Sequence, residues 1–300
     1  MLKRTLFFSN PFHLSVRDCQ LVATPKPEGN PRTIPIEDIG FVVIDHAQIS
    51  VTPVLLEHMV ANNVAVIFCD GLHHPQSMLL NLNGHHLQNE HFRQQISISE
   101  PLKKNLWKQT VEAKIINQAA LLKKLGKDHL AVEAYAKQVK SGDTDNREGA
   151  AAREYWKTLM GPEFTRARFG MWPNPPLNYG YAILRAAVAR ALVGSGLLPT
   201  LGIHHHSRYN AYCLADDIME PYRPYVDETV YHMYLTCQGC ESLTTQQKAE
   251  LLNVLTIDVA FERFTRPLMV GLSQTTASLT RCYAGDVRKI AYPKLDQPIT

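Results

Sequence analysis

Glu100-Pro101-Leu102-Lys103-Lys104-Asn105-Leu106-Trp107 is the stretch at which the pattern of the chain changes. From here Leu102, Leu106, Trp107, Ile115, Ile116, Ala119 and Leu122 recur with a period near 3.6, the mark of a long amphipathic helix. The preceding residues have another rhythm. Leu6-Phe7-Phe8, His13-Leu14-Ser15-Val16, Gln20-Leu21-Val22 and Arg32-Thr33-Ile34-Pro35-Ile36 are short apolar runs. They are separated by Asn10-Pro11 and Lys26-Pro27-Glu28-Gly29-Asn30-Pro31, so they read as strands closed by turns. Phe41-Val42-Val43-Ile44 and Val64-Ala65-Val66-Ile67-Phe68 are apolar throughout and of strand length. Between them Thr52-Pro53 opens a short helix with Leu55, Leu56, Met59 and Val60 on one face. The spacing predicts an α+β protein: a small β-rich domain over residues 1–90, a linker over 91–100 and a larger all-α domain over 101–300.

Further helices are expected at 148–159, 177–194, 214–219 and 245–264, the last begun by Thr244 and Thr245. The breaker-rich Ser141-Gly142-Asp143-Thr144-Asp145-Asn146 directly precedes the first of them. Residues 271–286 are weakly patterned and receive no assignment. There is no internal repeat and no low-complexity tract.

With 300 residues, 45% hydrophobic and 20% charged, the chain has the composition of a packed globular protein. A net charge of +3 does not by itself identify a nucleic-acid partner, although a basic groove can hide beside an acidic site. Six scattered cysteines do not frame a small disulfide scaffold. Cys237-Gln238-Gly239-Cys240 lacks the second pair of ligands that a structural zinc site needs, so these cysteines read as reduced. The apolar run after Met1-Leu2-Lys3-Arg4 is too short for a signal peptide. The most apolar long segment, 181–198, is interrupted by Arg185 and Arg190, each costing on the order of 3 kcal/mol in a membrane span. A cytoplasmic protein without a membrane partner is expected.

Two segments concentrate the groups that phosphate chemistry uses. In Asn146-Arg147-Glu148-Gly149-Ala150-Ala151-Ala152-Arg153 the small residues after Glu148 admit a close backbone approach. The helix dipole alone also favours a glutamate in a first turn, exposed and without further role. In Leu201-Gly202-Ile203-His204-His205-His206 one continuous backbone cannot aim three adjacent imidazoles at one ion, so at most one or two can serve. In the helix that follows, Asp216 and Asp217 diverge while Asp217 and Glu220 share a face. Histidine with two carboxylates is a mixed nitrogen and oxygen set, better matched to Mg²⁺ or Mn²⁺ than to structural zinc. Arg147, Arg153, Lys157, Arg166, Arg168, Arg208 and Arg223 surround these segments. Solubility and ion pairing account for such charges, and so does a groove that tracks a phosphate backbone.

In order along the chain, Asn117-Gln118, Gly142-Asp143-Thr144, Glu148, Ala151-Ala152, Tyr155-Trp156, Leu177-Asn178-Tyr179-Gly180-Tyr181, Leu201-Gly202-Ile203-His204-His205 and Leu214-Ala215-Asp216-Asp217-Ile218-Met219-Glu220-Pro221-Tyr222-Arg223-Pro224 form a single pattern. That pattern resembles the CRISPR-associated integrase family of spacer acquisition, most closely its type II branch. The resemblance covers most of the chain and implies a β-rich N-terminal domain used for dimerisation and a helical catalytic domain. It implies Glu148, His205 and Glu220 as catalytic residues and ligands of Mg²⁺ or Mn²⁺. The Gly202-x-x-His205 spacing selects the histidine, and Asp217 becomes a supporting or substrate-facing neighbour. Without the ion, Glu148 and Glu220 are expected to repel, so removing Glu220 should leave melting of the metal-free protein level or raise it. Arg223 matches a basic position of the family. Arg208, Arg166, Arg168, Lys157 and Arg153 are DNA-binding candidates on charge alone.

The implied activity is metal-dependent transesterification that inserts spacer DNA into a CRISPR array, an antiviral defence function. The implied partners are double-stranded DNA (spacer precursor and repeat), a second copy of the chain, a small ferredoxin-like CRISPR adaptation protein and the RNA-guided effector nuclease. Two other functions fit the residues taken alone: a non-catalytic helical DNA-binding scaffold, and a metallohydrolase of a small phosphorylated substrate.

Overall fold

The computed structural model describes residues 3–237, 240 and 242–295. The chain divides into two compact units that meet between His86 and Leu87.

The first unit holds two four-stranded sheets. β1 (Arg4–Phe8), β5 (Ile39–Ile44), β7 (Ala65–Cys69) and β8 (Pro75–Leu79) lie side by side in that order. The first three are parallel and β8 returns antiparallel. The second sheet runs β4 (Arg32–Pro35), β3 (Gln20–Pro25), β2 (Phe12–Arg17) and β6 (Ser50–Val51). Every residue of β5 is buried. This is why its sequence shows an unbroken apolar run instead of alternation: a parallel strand at the centre of a sheet is covered on both faces. Helix α1 (Pro53–Ala61) connects β6 to β7. It is capped by Thr52, whose Oγ1 accepts from Leu55 N at 3.4 Å, and Pro53 sits where a missing N–H costs nothing. Leu55 and Met59 from its inner face join Leu14, Leu21, Ile39, Val42 and Val66 in the core.

The second unit is mainly helical: α2 (Gln88–Ser97), α3 (Glu100–Lys124), α4 (Leu130–Ala136), α5 (Arg147–Met160), α6 (Asn174–Gly194), α7 (Cys213–Met219), α8 (Arg223–Thr236), α9 (Thr245–Asn253) and α10 (Leu268–Ala284). A tight turn, Glu220–Tyr222, joins α7 to α8. Helix α3 is the axis of the unit and buries residues around much of its circumference, including Leu106, Trp107, Thr110, Val111, Lys114, Ile115, Asn117 and Gln118. Where α6 crosses α8, a Cβ on Gly180 would stand 2.4 Å from Val226 Cγ1, so only glycine permits this approach. Among the described residues no helix is long and apolar enough to cross a membrane.

The β-then-helical order agrees with the sequence reading, and three local assignments need correction. Residues 91–100 are not a linker: most of them belong to α2. Buried Gln95 ties this helix to the chain far ahead, donating to Leu198 O at 3.0 Å and Leu201 O at 3.1 Å and accepting from Leu198 N at 2.9 Å. The helix expected over 245–264 stops at Asn253, and β9 (Asp258–Phe261) and β10 (Phe264–Pro267) form an antiparallel hairpin. The unassigned 271–286 lies largely in α10. Cys237 and Cys240, taken as reduced, stand with Cα atoms 5.8 Å apart, a spacing at which a disulfide can form.

Candidate functional site

Two segments of the helical unit, the start of α5 and the turn after α7, converge on Lys114 of α3. Its Nζ lies 2.5 Å from Glu148 Oε1 and 2.6 Å from Glu220 Oε2. Glu220 Oε1 faces Arg223 Nη2 at 2.9 Å. Two carboxylates are therefore matched by two cations in a site where Lys114 and Glu220 are both buried.

Each carboxylate is placed by its own turn. Glu148 occupies the first turn of α5, behind a double cap. Asn146 Oδ1 accepts from Gly149 N at 3.0 Å, and buried Asp143 accepts from Arg147 N at 2.8 Å and Glu148 N at 3.0 Å. Asn146 adopts a left-handed conformation (φ 50°), which asparagine tolerates better than most residues. Glu220 begins the turn between α7 and α8. Asn117, three residues beyond Lys114 on α3, fixes that turn by donating to Pro221 O at 2.7 Å and Pro293 O at 3.0 Å, and it accepts from Leu295 N at 3.1 Å.

The histidines enter on the loop that follows Gly202. Asp217, fully buried, gathers this loop: Oδ2 accepts from Ile203 N at 2.7 Å and His204 N at 3.0 Å. Oδ1 stands 3.2 Å from His205 N and 2.6 Å from His205 Nδ1. A Cβ on Gly202 would meet His205 O at 2.3 Å and Asp217 Oδ2 at 2.8 Å, which explains the glycine of the Gly-x-x-His spacing. The three imidazoles have different environments. His204 stacks on Trp107 with ring centroids 4.1 Å apart and planes 1° from parallel. His205 meets the same indole edge-on at 5.7 Å and is held through Nδ1, which leaves Nε2 as the nitrogen that could meet an ion. His206 is exposed and turns Nδ1 to His204 O.

Charge balance sets the protonation of the site. Burial disfavours an ionised Glu220, but Arg223 and Lys114 outweigh it and hold the carboxyl below its ordinary range. Burial likewise works against the Lys114 ammonium, and Glu220 and Glu148 together keep its pKa above the ordinary value. The expected repulsion between Glu148 and Glu220 is thus overturned, because two cations lie between and beside them. For His205 the hydrogen bond to Asp217 dominates and raises the pKa against burial, whereas burial lowers that of His204.

Glu148, His205, Glu220 and Asp217 are all brought to this region, Asp217 as a buried organiser of the histidine loop. Among the described residues, no three His, Cys, Asp or Glu side chains stand close enough to hold an ion as they are. The donor chemistry nevertheless suits a hard divalent ion. Two carboxylates converge on a single cationic position, and the buried Glu220 Oε2 meets Lys114 only as an ion pair, without an aligned hydrogen bond.

The DNA-binding candidates divide into two groups. Arg223 is committed to Glu220 and lies over the Tyr181 ring at 4.5 Å. Arg166 is likewise engaged, donating to Ala167 O, Asn174 Oδ1 and Asn178 Oδ1. Arg153, Lys157, Arg168 and Arg208 are exposed. Behind Arg223, buried Asp227 accepts from Tyr155 OH at 2.8 Å and from Tyr181 OH. Burial pushes the Asp227 pKa up to about 6 despite both hydroxyls. Sequence reasoning missed Lys114. Its signal was position: with Trp107, Val111 and Gln118 it follows helical spacing on a face that becomes buried.

The fold and site thus define a two-unit protein in which an acidic, cation-balanced centre with an adjoining histidine lies in the helical unit. Residues 6–252 match the family described as CRISPR associated protein Cas1, and the chain belongs to that family. It is 38% identical over 265 residues to the CRISPR-associated endonuclease Cas1 of Neisseria meningitidis, covering 88% of this chain and 86% of the relative. A Francisella tularensis Cas1 endonuclease is 25% identical, covering 86% of this chain and 87% of the relative. Two solved structures share the fold. A casposase bound to an integration product has a TM-score of 0.81 at 19% identity, covering 100% of this chain and 94% of the other. A Cas1 protein from Thermotoga maritima has a TM-score of 0.76 at 14% identity, covering 94% and 98%.

Proposed function

We propose that the chain is a divalent-metal-dependent DNA integrase and endonuclease that inserts spacer DNA into a CRISPR array. The observation that carries this reading is the convergence of Glu148 and Glu220 on one cationic position, with His205 held on the neighbouring loop. Membership of the Cas1 family and likeness to a relative described as a CRISPR-associated endonuclease supply the substrate class.

Glu148, Glu220 and His205 Nε2 would hold Mg²⁺ or Mn²⁺. When bound, such an ion neutralises the anionic oxygens of a phosphodiester and favours attack at phosphorus. The protein's own part is placement. Asp217 fixes the rotation of His205, the double cap fixes Glu148, and Arg223 with the Asn117-anchored turn fixes Glu220. A 3′-hydroxyl of the incoming DNA attacks the phosphodiester at the repeat boundary. The new P–O bond forms as the old one breaks, and the displaced strand leaves with a 3′-hydroxyl. One phosphodiester replaces another, so no covalent enzyme intermediate or energy source is required.

The first unit would pair two copies of the chain, and the assembly would act in the cytoplasm with double-stranded DNA, a small ferredoxin-like adaptation protein and the RNA-guided effector nuclease. Solved structures described as a complex of Cas1 with Cas2 and as Cas1 with DNA support DNA and a CRISPR-associated partner protein as members of this set. The test is metal-dependent joining of a labelled duplex to a repeat-containing plasmid, assayed with the partner protein present. Joined product that disappears with chelator supports the reading. DNA binding without joining under all conditions indicates a scaffold. Neither binding nor joining, with turnover of a small phosphorylated compound, indicates a metallohydrolase.

A further inference from the structure

Lys114 has no place in the three-ligand scheme, yet it occupies the centre of the site. A lysine buried on the inner face of a helix is costly unless it is paired. Here both partners are the carboxylates assigned to the ion, Glu148 at 2.5 Å and Glu220 at 2.6 Å. With Arg223 on the other oxygen of Glu220, the two negative charges are already balanced by two positive ones. A divalent ion entering between the same oxygens would leave the centre over-charged with cation. One of the two basic groups must give way. Arg223 is clamped between Glu220 and the Tyr181 ring, at 4.5 Å from its centroid. Lys114 hangs on a flexible four-carbon stem and holds its partners as a compact point charge.

We propose that Lys114 is a displaceable internal counter-ion, which holds Glu148 and Glu220 together before the divalent ion arrives and withdraws when it binds. Metal affinity is then set by competition with the protein's own ammonium, and Lys114 is a positioning residue that acts through the two carboxylates. This inference rests on Glu148, His205 and Glu220 being ion ligands.

Calorimetric titration of the metal-free protein with Mn²⁺ at one fixed pH, comparing wild type with Lys114→Met and Glu220→Ala, tests it. Lys114→Met should bind Mn²⁺ at least tenfold more tightly than wild type. Its metal-free melting temperature should be lower, and Mn²⁺ should raise it by more. A merely structural lysine gives the opposite result, since loosening the site weakens binding. Equal or weaker affinity in Lys114→Met, with binding abolished in Glu220→Ala, overturns the counter-ion role and leaves the ligand assignment standing. No Mn²⁺ binding in either wild type or Lys114→Met overturns both. If Lys114→Met does not fold, the wild-type chain decides the matter by reductive methylation mapped by mass spectrometry. Labelling of Lys114 should rise several-fold at Mn²⁺ concentrations that saturate the calorimetric binding, while exposed Lys157 labels equally throughout. Unchanged labelling of Lys114 at saturation overturns the proposal.

Discussion

Asp217 Oδ1 lies 2.6 Å from His205 Nδ1, and the same carboxylate accepts from the backbone N–H groups of Ile203 and His204. This contact distinguishes His205 from its neighbours, since of the three imidazoles it alone is anchored through Nδ1 on a buried carboxylate, with Nε2 opposite the anchored nitrogen. His205→Ala should reduce metal-dependent joining at least a hundredfold, the loss expected when about 3 kcal/mol of catalytic stabilisation is removed. His204→Ala loses a stacking contact with Trp107 and should cost far less. A ligating nitrogen must be unprotonated. Because the hydrogen bond that His205 donates to Asp217 raises the His205 pKa above its ordinary 6.5, joining should fall as pH drops through a midpoint above that value. Excess Mn²⁺ should partly restore it, and Asp217→Asn should move the midpoint down. Normal joining by His205→Ala alongside an inactive His204→Ala would transfer the ligand to the residue stacked on the indole.

Glu220 is expected to matter for folding as well as for chemistry. Its removal leaves the Lys114 ammonium with one carboxylate where it had two, and Arg223 without its ion-pair partner. Breaking a buried ion pair from one side costs about 3–5 kcal/mol. Glu220→Ala should therefore abolish joining and also lower the melting temperature of the metal-free protein, the reverse of what like-charge crowding implies. A variant that melts at or above the wild-type temperature would show that the two cations do not stabilise the site.

The legibility of the sequence followed the kind of interaction that holds each element. β5 and β7 are largely buried apolar runs, and α3 carries an apolar stripe, so their patterning finds them. Helix α2 is polar along nearly its whole length and is anchored by the hydrogen bonds of Gln95, so a search for apolar spacing passes over it. In α10 the buried Thr275 and Thr276 look like surface residues, yet their hydroxyls are spent on Ala291 O and Ala191 O. The β9–β10 hairpin has strands of four residues, too short for a period of two to be told from the tail of a helix. At the site, the motifs pick out the acids and the histidine. The charge state depended on Lys114, whose pairing arises only when α3, α5 and the Glu220 turn meet.

DNA affinity should depend on the exposed basic residues and not on the engaged ones. Arg153, Lys157, Arg168 and Arg208 are open to solvent, whereas Arg166 and Arg223 are spent within the fold. Each phosphate contact removed should flatten the slope of log affinity against log salt by up to about 1. Neutralising the four exposed residues together should therefore reduce the slope by several units without changing the melting temperature. Arg223→Gln should instead lower both joining and melting temperature. A salt dependence identical in wild type and the fourfold variant would exclude this surface from DNA contact.

Asp227 makes stability depend on pH in a direction opposite to that of most carboxylates. It is 1% exposed, and burial raises its pKa from the ordinary 3.8 to about 6. Between those values the folded chain keeps a proton that the unfolded chain has released. Unfolding there releases a proton, so this residue's contribution is complete below the unfolded value and is lost as pH climbs through the folded one. Two units of pKa correspond to about 3 kcal/mol at most. Asparagine cannot ionise, and its side-chain oxygen still accepts one tyrosine hydroxyl. At low pH Asp227→Asn should stay close to wild type, because the protonated carboxyl and the amide each offer one accepting oxygen and one donor to Tyr155 and Tyr181. It should become increasingly more stable than wild type as pH rises through about 6. Urea midpoints of the two proteins across that window measure the difference directly. Parallel pH profiles would mean that Asp227 is ionised throughout and that Arg223 and the two hydroxyls, not a retained proton, offset its burial.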